Sequence, residues 1–285
     1  MGDLSRNFKI GDREFDKPLI MGILNVTPDS FSDGGKYYDT DLAVNHAVEM
    51  ISAGADIIDV GGESTRPGSE FISEEEELRR IVPVVERLRQ ISPEIPISID
   101  TTKKKVAYET LKRGAAIIND ISGLTFDPSV ADVVKEFNAG LIIMHIKGVP
   151  KTMQQNPEYF DLIKEVKEFL QRQIGIAEKS GLTNLIIDPG IGFGKSVNDN
   201  YRLIGNIKEF KTLGFPLLIG LSRKSFLGKS LALEVDQRDT STAIAEAFAM
   251  SYGANIIRTH NVKNAVCARQ IYQNISNAGL VKENV

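Results

Sequence analysis

The sequence predicts an α/β fold, a single (β/α)8 TIM barrel, on three observations. Eight short apolar runs alternate with amphipathic stretches across 285 residues, which is the repeat of a strand-helix unit. Runs such as Leu141-Ile142-Ile143-Met144 are apolar at every position, as strands covered on both faces must be. Each run also gives way to polar side chains at its C-terminal end, where a barrel of this kind builds its site. A doubly wound sheet is the competing arrangement, but no Gly-x-Gly-x-x-Gly follows the first strand.

Residues 7–15 read as a short strand-turn-strand that closes the lower end of the barrel. Barrel strands are predicted near 19–24, 56–60, 97–99, 116–119, 141–145, 185–188, 217–221 and 256–258. Helical spacing fills the gaps, as in Leu42, Ala43, Ala47, Val48 and Ile51, or Val82, Val85 and Leu88. Gly54-Ala55, Gly114-Ala115 and Gly253-Ala254 mark helix-to-strand joints, because glycine tolerates the left-handed turn that ends a helix. Ser73-Glu74-Glu75-Glu76 has the form of a capping box, with its charge run on a solvated helix start. No linker or low-complexity tract interrupts the pattern, so residues 1–285 are expected to form one domain.

A net charge of −4 argues against nucleic acid or a membrane surface as a partner. It leaves room for an anionic small-molecule substrate held by a local cluster of cations. The lone Cys267 excludes an intrachain disulfide and a zinc-thiolate cluster. No apolar stretch is long enough to span a bilayer, and MGDLSRNFKIGDREF lacks the apolar core of a signal peptide. The expected compartment is the cytoplasm.

The strand ends bring together Asn25, the Gly61-Gly62-Glu63-Ser64-Thr65-Arg66-Pro67-Gly68 loop, Asp100, Asn119-Asp120, His145, Asp188, Ser222-Arg223-Lys224-Ser225 and Arg258-Thr259-His260. So many polar groups at one rim predict an enzyme. A carboxylate such as Asp100 or Asp188 is costly there unless something donates to it. A salt bridge would serve, and so would a ligand with adjacent N–H groups, which meets a carboxylate through two parallel hydrogen bonds. Asn119 can both donate and accept, which suits a heterocycle with mixed edges. Arg66, Lys224, Arg258 and His260 supply cations for an anionic tail.

Other motifs weigh less. Gly190-Ile191-Gly192-Phe193-Gly194-Lys195-Ser196 approaches a phosphate-binding P-loop, but Pro189 stands where its first glycine belongs. Its glycines are expected to turn the chain sharply after Asp188 or to let it pass close to a flat ligand. His46, His145 and His260 fall in different units, which disfavours a histidine-built zinc site. His46 is expected to be structural, and His145 fits core or rim equally. The Ser-Arg-Lys-Ser setting of Lys224 offers no evident desolvated pocket that would lower its pKa.

Together, Asn25-Val26-Thr27-Pro28-Asp29-Ser30-Phe31-Ser32-Asp33-Gly34-Gly35, the stretch from Asp59 to Gly68, Ser98-Ile99-Asp100-Thr101, Asn119-Asp120, Asp188-Pro189-Gly190, Ser222-Arg223-Lys224-Ser225-Phe226 and Arg258-Thr259-His260 resemble the dihydropteroate synthases of the pterin-binding family. The resemblance runs along nearly the whole chain. It implies condensation of 6-hydroxymethyl-7,8-dihydropterin diphosphate with p-aminobenzoate to give 7,8-dihydropteroate and diphosphate, with the diphosphate leaving first. By the same resemblance Asp100, Asn119, Asp188 and Lys224 hold the pterin, with Phe193 close by. Arg66, Arg258 and His260 look like the diphosphate grip, with Thr65 beside it. Asn25 is implied to bind Mg²⁺ shared with the diphosphate, and Asp33 to reach that ion. Phe31, Thr65, Pro67, Lys224 and Ser225 resemble the p-aminobenzoate pocket, the target of sulfonamides. Asp100, Lys224, Arg258 and His260 would carry catalysis, and a homodimer through the outer helices is implied.

The lone Phe31 and the glycines of the 25–35 loop predict a lid that keeps water from a reactive cation. Two other readings share the pocket. A pterin-binding methyltransferase domain would not need Phe31, Thr65-Arg66-Pro67 or Ser222-Arg223-Lys224-Ser225. A non-catalytic pterin-binding paralogue would not need intact lid and diphosphate residues.

Overall fold

The computed structural model describes residues 8–10, 13–27, 36–64, 68–155 and 157–278. Strands β1 (Phe8–Ile10) and β2 (Arg13–Phe15) pair antiparallel in a small hairpin. The barrel then begins with β3 (Leu19–Asn25), α1 (Lys36–Ser52), β4 (Ile57–Gly61), α2 (Glu74–Ile91), β5 (Ile97–Asp100), α3 (Lys104–Leu111), β6 (Ile117–Asp120) and α4 (Val130–Glu136). It continues through β7 (Gly140–Met144), α5 (Leu162–Lys179), β8 (Leu185–Asp188), α6 (Val197–Gly205), α7 (Ile207–Lys211), β9 (Leu218–Gly220) and α8 (Ser225–Leu231). The last elements are α9 (Asp239–Ser251), β10 (Ile256–Thr259) and α10 (Val262–Ala278).

Eight strands form one parallel sheet in the order β8-β7-β6-β5-β4-β3-β10-β9. A bridge between Ile187 and Leu217 brings its two edges together, and Ile187 N–H donates to Pro216 O at 2.9 Å. The result is the expected (β/α)8 barrel, and each of its strands starts and stops within one residue of its expected bounds.

Strand side chains alternate between two faces, and the inward set changes character along the barrel axis. Near the N-terminal ends, Leu19, Met21, Ile57, Ile117, Ile142, Ile186, Leu218 and Ile256 form an apolar plug. Phe15 of the hairpin packs against that plug, which closes the lower end as expected. Two residues further along the same strands, the inward positions carry Asp59, Asn119, Asp188 and Arg258. The outward set, including Ile20, Ile58, Val60, Ile99, Ile118, Ile143, Ile187 and Ile257, joins the helices in the larger core. The apolar runs therefore end where the interior becomes polar.

Helix starts show one departure from expectation. Ser73 caps α2 by accepting Glu76 N–H at 3.2 Å, but the Glu76 carboxylate turns to Arg79 and Arg80 instead of back to Ser73. Two guanidiniums outcompete one backbone N–H, and they hold its pKa down to about 2. His46 lies exposed on α1, 3.5 Å from Glu49, on the barrel's outer face.

Candidate active site

Arg258 lies at the centre of the polar interior. Its Nε donates to Asp59 at 2.6 Å and its Nη2 to Asp100 at 2.7 Å. Asn119 Nδ2 donates to the same Asp59 oxygen at 3.1 Å. The other Asp59 oxygen, Oδ1, is buried without a partner among the described residues. Burial drives the Asp100 carboxyl up to about 7; Arg258 opposes that rise and Asp59 adds to it. Burial also works against the Arg258 charge, but Asp59 and Asp100 outweigh it and hold the guanidinium protonated. Asp59 entered the sequence reading only as the first residue of a matched stretch. A signal for it existed: it stands two residues after Ile57, in the inward phase of a buried strand.

Asp188 ends β8 and accepts Gly190 N–H at 2.7 Å. Burial raises its pKa, against the pull of Lys224. The chain then turns sharply, the first of the two roles expected for these glycines. Gly190 has φ +67°, and a Cβ there would lie 1.8 Å from His145 O. Gly192, at φ +87°, packs so closely that a Cβ would meet Lys224 Cδ at 2.8 Å. Lys224 Nζ donates to Ile191 O and sits 4.8 Å from the centroid of the Phe193 ring. Burial lowers its pKa to about 8, with Asp188 opposing the fall. The expectation that its setting is not desolvating is therefore corrected: burial desolvates it, with Gly192, remote in sequence, packed closely on its side chain.

Lys195 is no P-loop lysine. Its Nζ turns inward to Gly190 O at 2.8 Å, Phe193 O at 2.9 Å and His145 Nδ1 at 2.9 Å. His145 belongs to the core, edge-on to Phe169 with centroids 4.8 Å apart. Burial beside the Lys195 charge lowers its pKa to about 2. Asp120 also turns away from the interior and accepts the Ser122 and Leu124 N–H groups, each at 2.8 Å, to hold the turn after β6.

On the opposite side, His260 N–H donates to Ser222 Oγ at 3.0 Å, and its Nδ1 lies 2.9 Å from the same oxygen. Arg223 has φ +55°. That turn is held by Asp239, which accepts from Arg223 Nε at 2.7 Å and Nη2 at 2.9 Å, and by Thr242 Oγ1, which accepts Arg223 N–H at 3.1 Å. It directs Lys224 inward and leaves Ser225 exposed at the start of α8. Asn25 ends β3 half-buried. It faces Asp100 across Gly61, where a Cβ would lie 3.8 Å from Asn25 Oδ1 and 3.4 Å from Asp100 Cβ. The base of the 61–68 loop is tied down by Lys103, which bridges Glu63 and Glu77, and by Arg80, whose Nη1 donates to Gly62 O at 2.8 Å. Phe31, Asp33, Thr65, Arg66 and Pro67 lie outside the described residues, as does most of the expected lid.

Among the described residues, no group of three or more His, Cys, Asp or Glu side chains could hold a metal ion. Asn25 offers one hard oxygen donor beside Asp100. That donor set fits Mg²⁺, which keeps several waters and takes ligands from substrate phosphates rather than from a protein cage.

The barrel interior thus brings buried carboxylates and an amide together with the cations Arg258 and Lys224. Residues 21–260 match the pterin binding enzyme family, and the chain belongs to that family. The dihydropteroate synthase of Synechocystis sp. is 46% identical over 260 residues, covering 89% of this chain and 90% of the relative. A Yersinia pestis dihydropteroate synthase in a sulfonamide drug complex superposes with a TM-score of 0.89 at 41% identity, over 95% of this chain and 99% of that one. A Xanthomonas albilineans dihydropteroate synthase in complex with 7,8-dihydropteroate superposes with a TM-score of 0.84 at 37% identity, over 95% and 98%.

Proposed function

We infer that the protein is a transferase of folate biosynthesis that makes 7,8-dihydropteroate. The amine of p-aminobenzoate would replace the diphosphate of 6-hydroxymethyl-7,8-dihydropterin diphosphate. The observation that carries this reading is the interior set of Asp59, Asp100, Asn119 and Asp188 around Arg258. Buried carboxylates call for N–H donors, and a 2-amino-4-oxo-pyrimidine edge supplies them in pairs. The named relatives favour a synthase over the methyltransferase reading.

In this reading Asp188 and Asn119 bind the pterin edge, while Phe193 and Lys224 flank the ring. The C–O bond to diphosphate breaks first, and the ring nitrogens share the positive charge left on the methylene. The amine nitrogen then attacks that carbon and loses a proton. Asp100 favours the developing charge. Arg66, Arg258 and His260 would grip the diphosphate. Mg²⁺, held by Asn25 and the substrate, would neutralise the leaving group. Phe31, Thr65, Pro67, Lys224 and Ser225 would wall the p-aminobenzoate.

We also infer a homodimer. Ile244 and Phe248 on α9 and Ile271 and Ile275 on α10 are each more than half exposed, an apolar face suited to a symmetric partner. The lone Cys267 suits the reducing cytoplasm.

Diphosphate release, measured with each substrate omitted in turn, tests the activity. Release should require both substrates. Full release without p-aminobenzoate would make the protein a hydrolase and overturn the reading.

A further inference from the structure

The glycine-rich turn after β8 owes its shape to side chains outside it. Five consecutive carbonyls, at positions 190 to 194, each accept from a side chain. Lys195 takes Gly190 and Phe193 at 2.8 and 2.9 Å, Lys224 takes Ile191, Gln154 takes Gly192 at 2.5 Å, and Tyr159 takes Gly194 at 2.8 Å. Gly192 N–H is matched as well, by Asn200 Oδ1 at 2.6 Å. Three glycines at positive φ cannot hold such a path unaided, because glycine samples both signs of φ freely.

Among these partners, Lys224 faces the site and Lys195 lies behind it, buried and turned away. Lys195 Nζ donates to two carbonyls and meets His145 Nδ1 as its third partner, while burial lowers its pKa well below the ordinary lysine value. By holding two carbonyls, Lys195 fixes both ends of the segment that carries Phe193. The same segment presents Ile191 O to Lys224 and Gly190 N–H to Asp188.

We propose that Lys195 is a positioning residue for the pterin: it acts through the 190–194 turn to set the Phe193 ring and to aim Lys224 and Asp188, without touching substrate. This rests on the pterin reading of the site. The ligand it serves is a flat heterocycle, so its loss loosens that ligand more than the second substrate, whose proposed pocket shares Lys224 but otherwise draws on Phe31, Thr65, Pro67 and Ser225 from other loops.

The test compares calorimetric binding of 6-hydroxymethylpterin with the KM for p-aminobenzoate at saturating pterin diphosphate. Lys195→Met is expected to weaken pterin binding at least tenfold and to raise the p-aminobenzoate KM no more than threefold. Removing the amine strands two carbonyls, so that variant can fail to fold. Gln154→Ala, altered at an exposed side chain that holds the same turn through Gly192 O, then carries the test. Its expected effect is a weakening of at least threefold, with a smaller rise in the p-aminobenzoate KM. Unchanged pterin affinity in Gln154→Ala or in folded Lys195→Met overturns the proposal, as does an equal rise in both substrates' constants. Wild-type protein that binds pterin without turnover would instead count against the proposed activity, and the calorimetric comparison of pterin affinity between wild type and variants would still decide the proposal.

Discussion

Replacing Asp188 with asparagine probes the pterin pocket where the structure constrains the outcome most. The carboxylate commits Oδ1 to Gly190 N–H at 2.7 Å. In Asp188→Asn that N–H still needs an acceptor, so the amide oxygen stays on it and the NH2 group is turned toward the interior. A pterin N–H edge then meets a donor. Losing a charge-assisted hydrogen bond costs about 1.5–3 kcal/mol, and an opposed buried donor adds about 1 kcal/mol or more. At 1.4 kcal/mol per tenfold, affinity should fall on the order of 100-fold. A second effect accompanies it. Asp188 is the charge that opposes the fall in the Lys224 pKa, so without it burial should lower that pKa further below about 8. Calorimetry with 6-hydroxymethylpterin at pH 7, on variant protein whose circular dichroism matches wild type, reads the affinity. A dissociation constant within threefold of wild type would refute both the amide orientation and the role of Asp188.

Two further perturbations have defined outcomes. Glu246 on α9 is fully buried, neither carboxyl oxygen has a hydrogen-bond partner among the described residues, and burial pushes its pKa up to about 8. The native state then keeps a proton that the unfolded chain releases, so this group's contribution is complete at acidic pH and is lost as pH rises toward 8, at about 1.4 kcal/mol per pH unit. Glu246→Gln should therefore gain stability relative to wild type by on the order of 3 kcal/mol between pH 5.5 and 8; denaturant midpoints whose difference does not change with pH would contradict this. Asn25→Ala should raise the Mg²⁺ concentration needed for turnover or abolish turnover, while 6-hydroxymethylpterin, which carries no phosphate, binds within twofold of wild type. Full wild-type activity in excess chelator would remove the metal from the reaction.

The barrel strands were legible because strands buried on both faces leave apolar runs with sharp ends. The rim was legible for the same reason: Asn25, Asp100, Asn119, Asp188 and Arg258 each fall at such an end. What the sequence left open was direction. Asn119 and Asp120 are neighbours, yet one turns to Asp59 inside the barrel and the other to the N–H groups of its own turn. Period two, counted from the apolar plug, separates them and also recovers Asp59. No local pattern reaches the pairing of Lys195 with His145, or the packing of Gly192 on Lys224, since both arise where loops from different units meet.

The arrangement of charge along the axis also favours one order of events in the proposed reaction. Asp59, Asp100 and Asp188 face Arg258 and Lys224 inside the barrel, so three carboxyls meet two cations where the ring would lie. Placing a partial positive charge there improves the balance and favours the ionised form of Asp100, whose pKa burial pushes up to about 7. The departing diphosphate needs hydrogen-bond donors, and His260 beside Ser222 stands at the β10 end, beyond the Arg258 layer. A concerted displacement would develop little charge on the ring and would draw little from this separation. A pathway that separates a ring cation from an anion uses both halves of it at once, which is why the cation-first order fits these residues better than direct attack by a weakly nucleophilic aromatic amine.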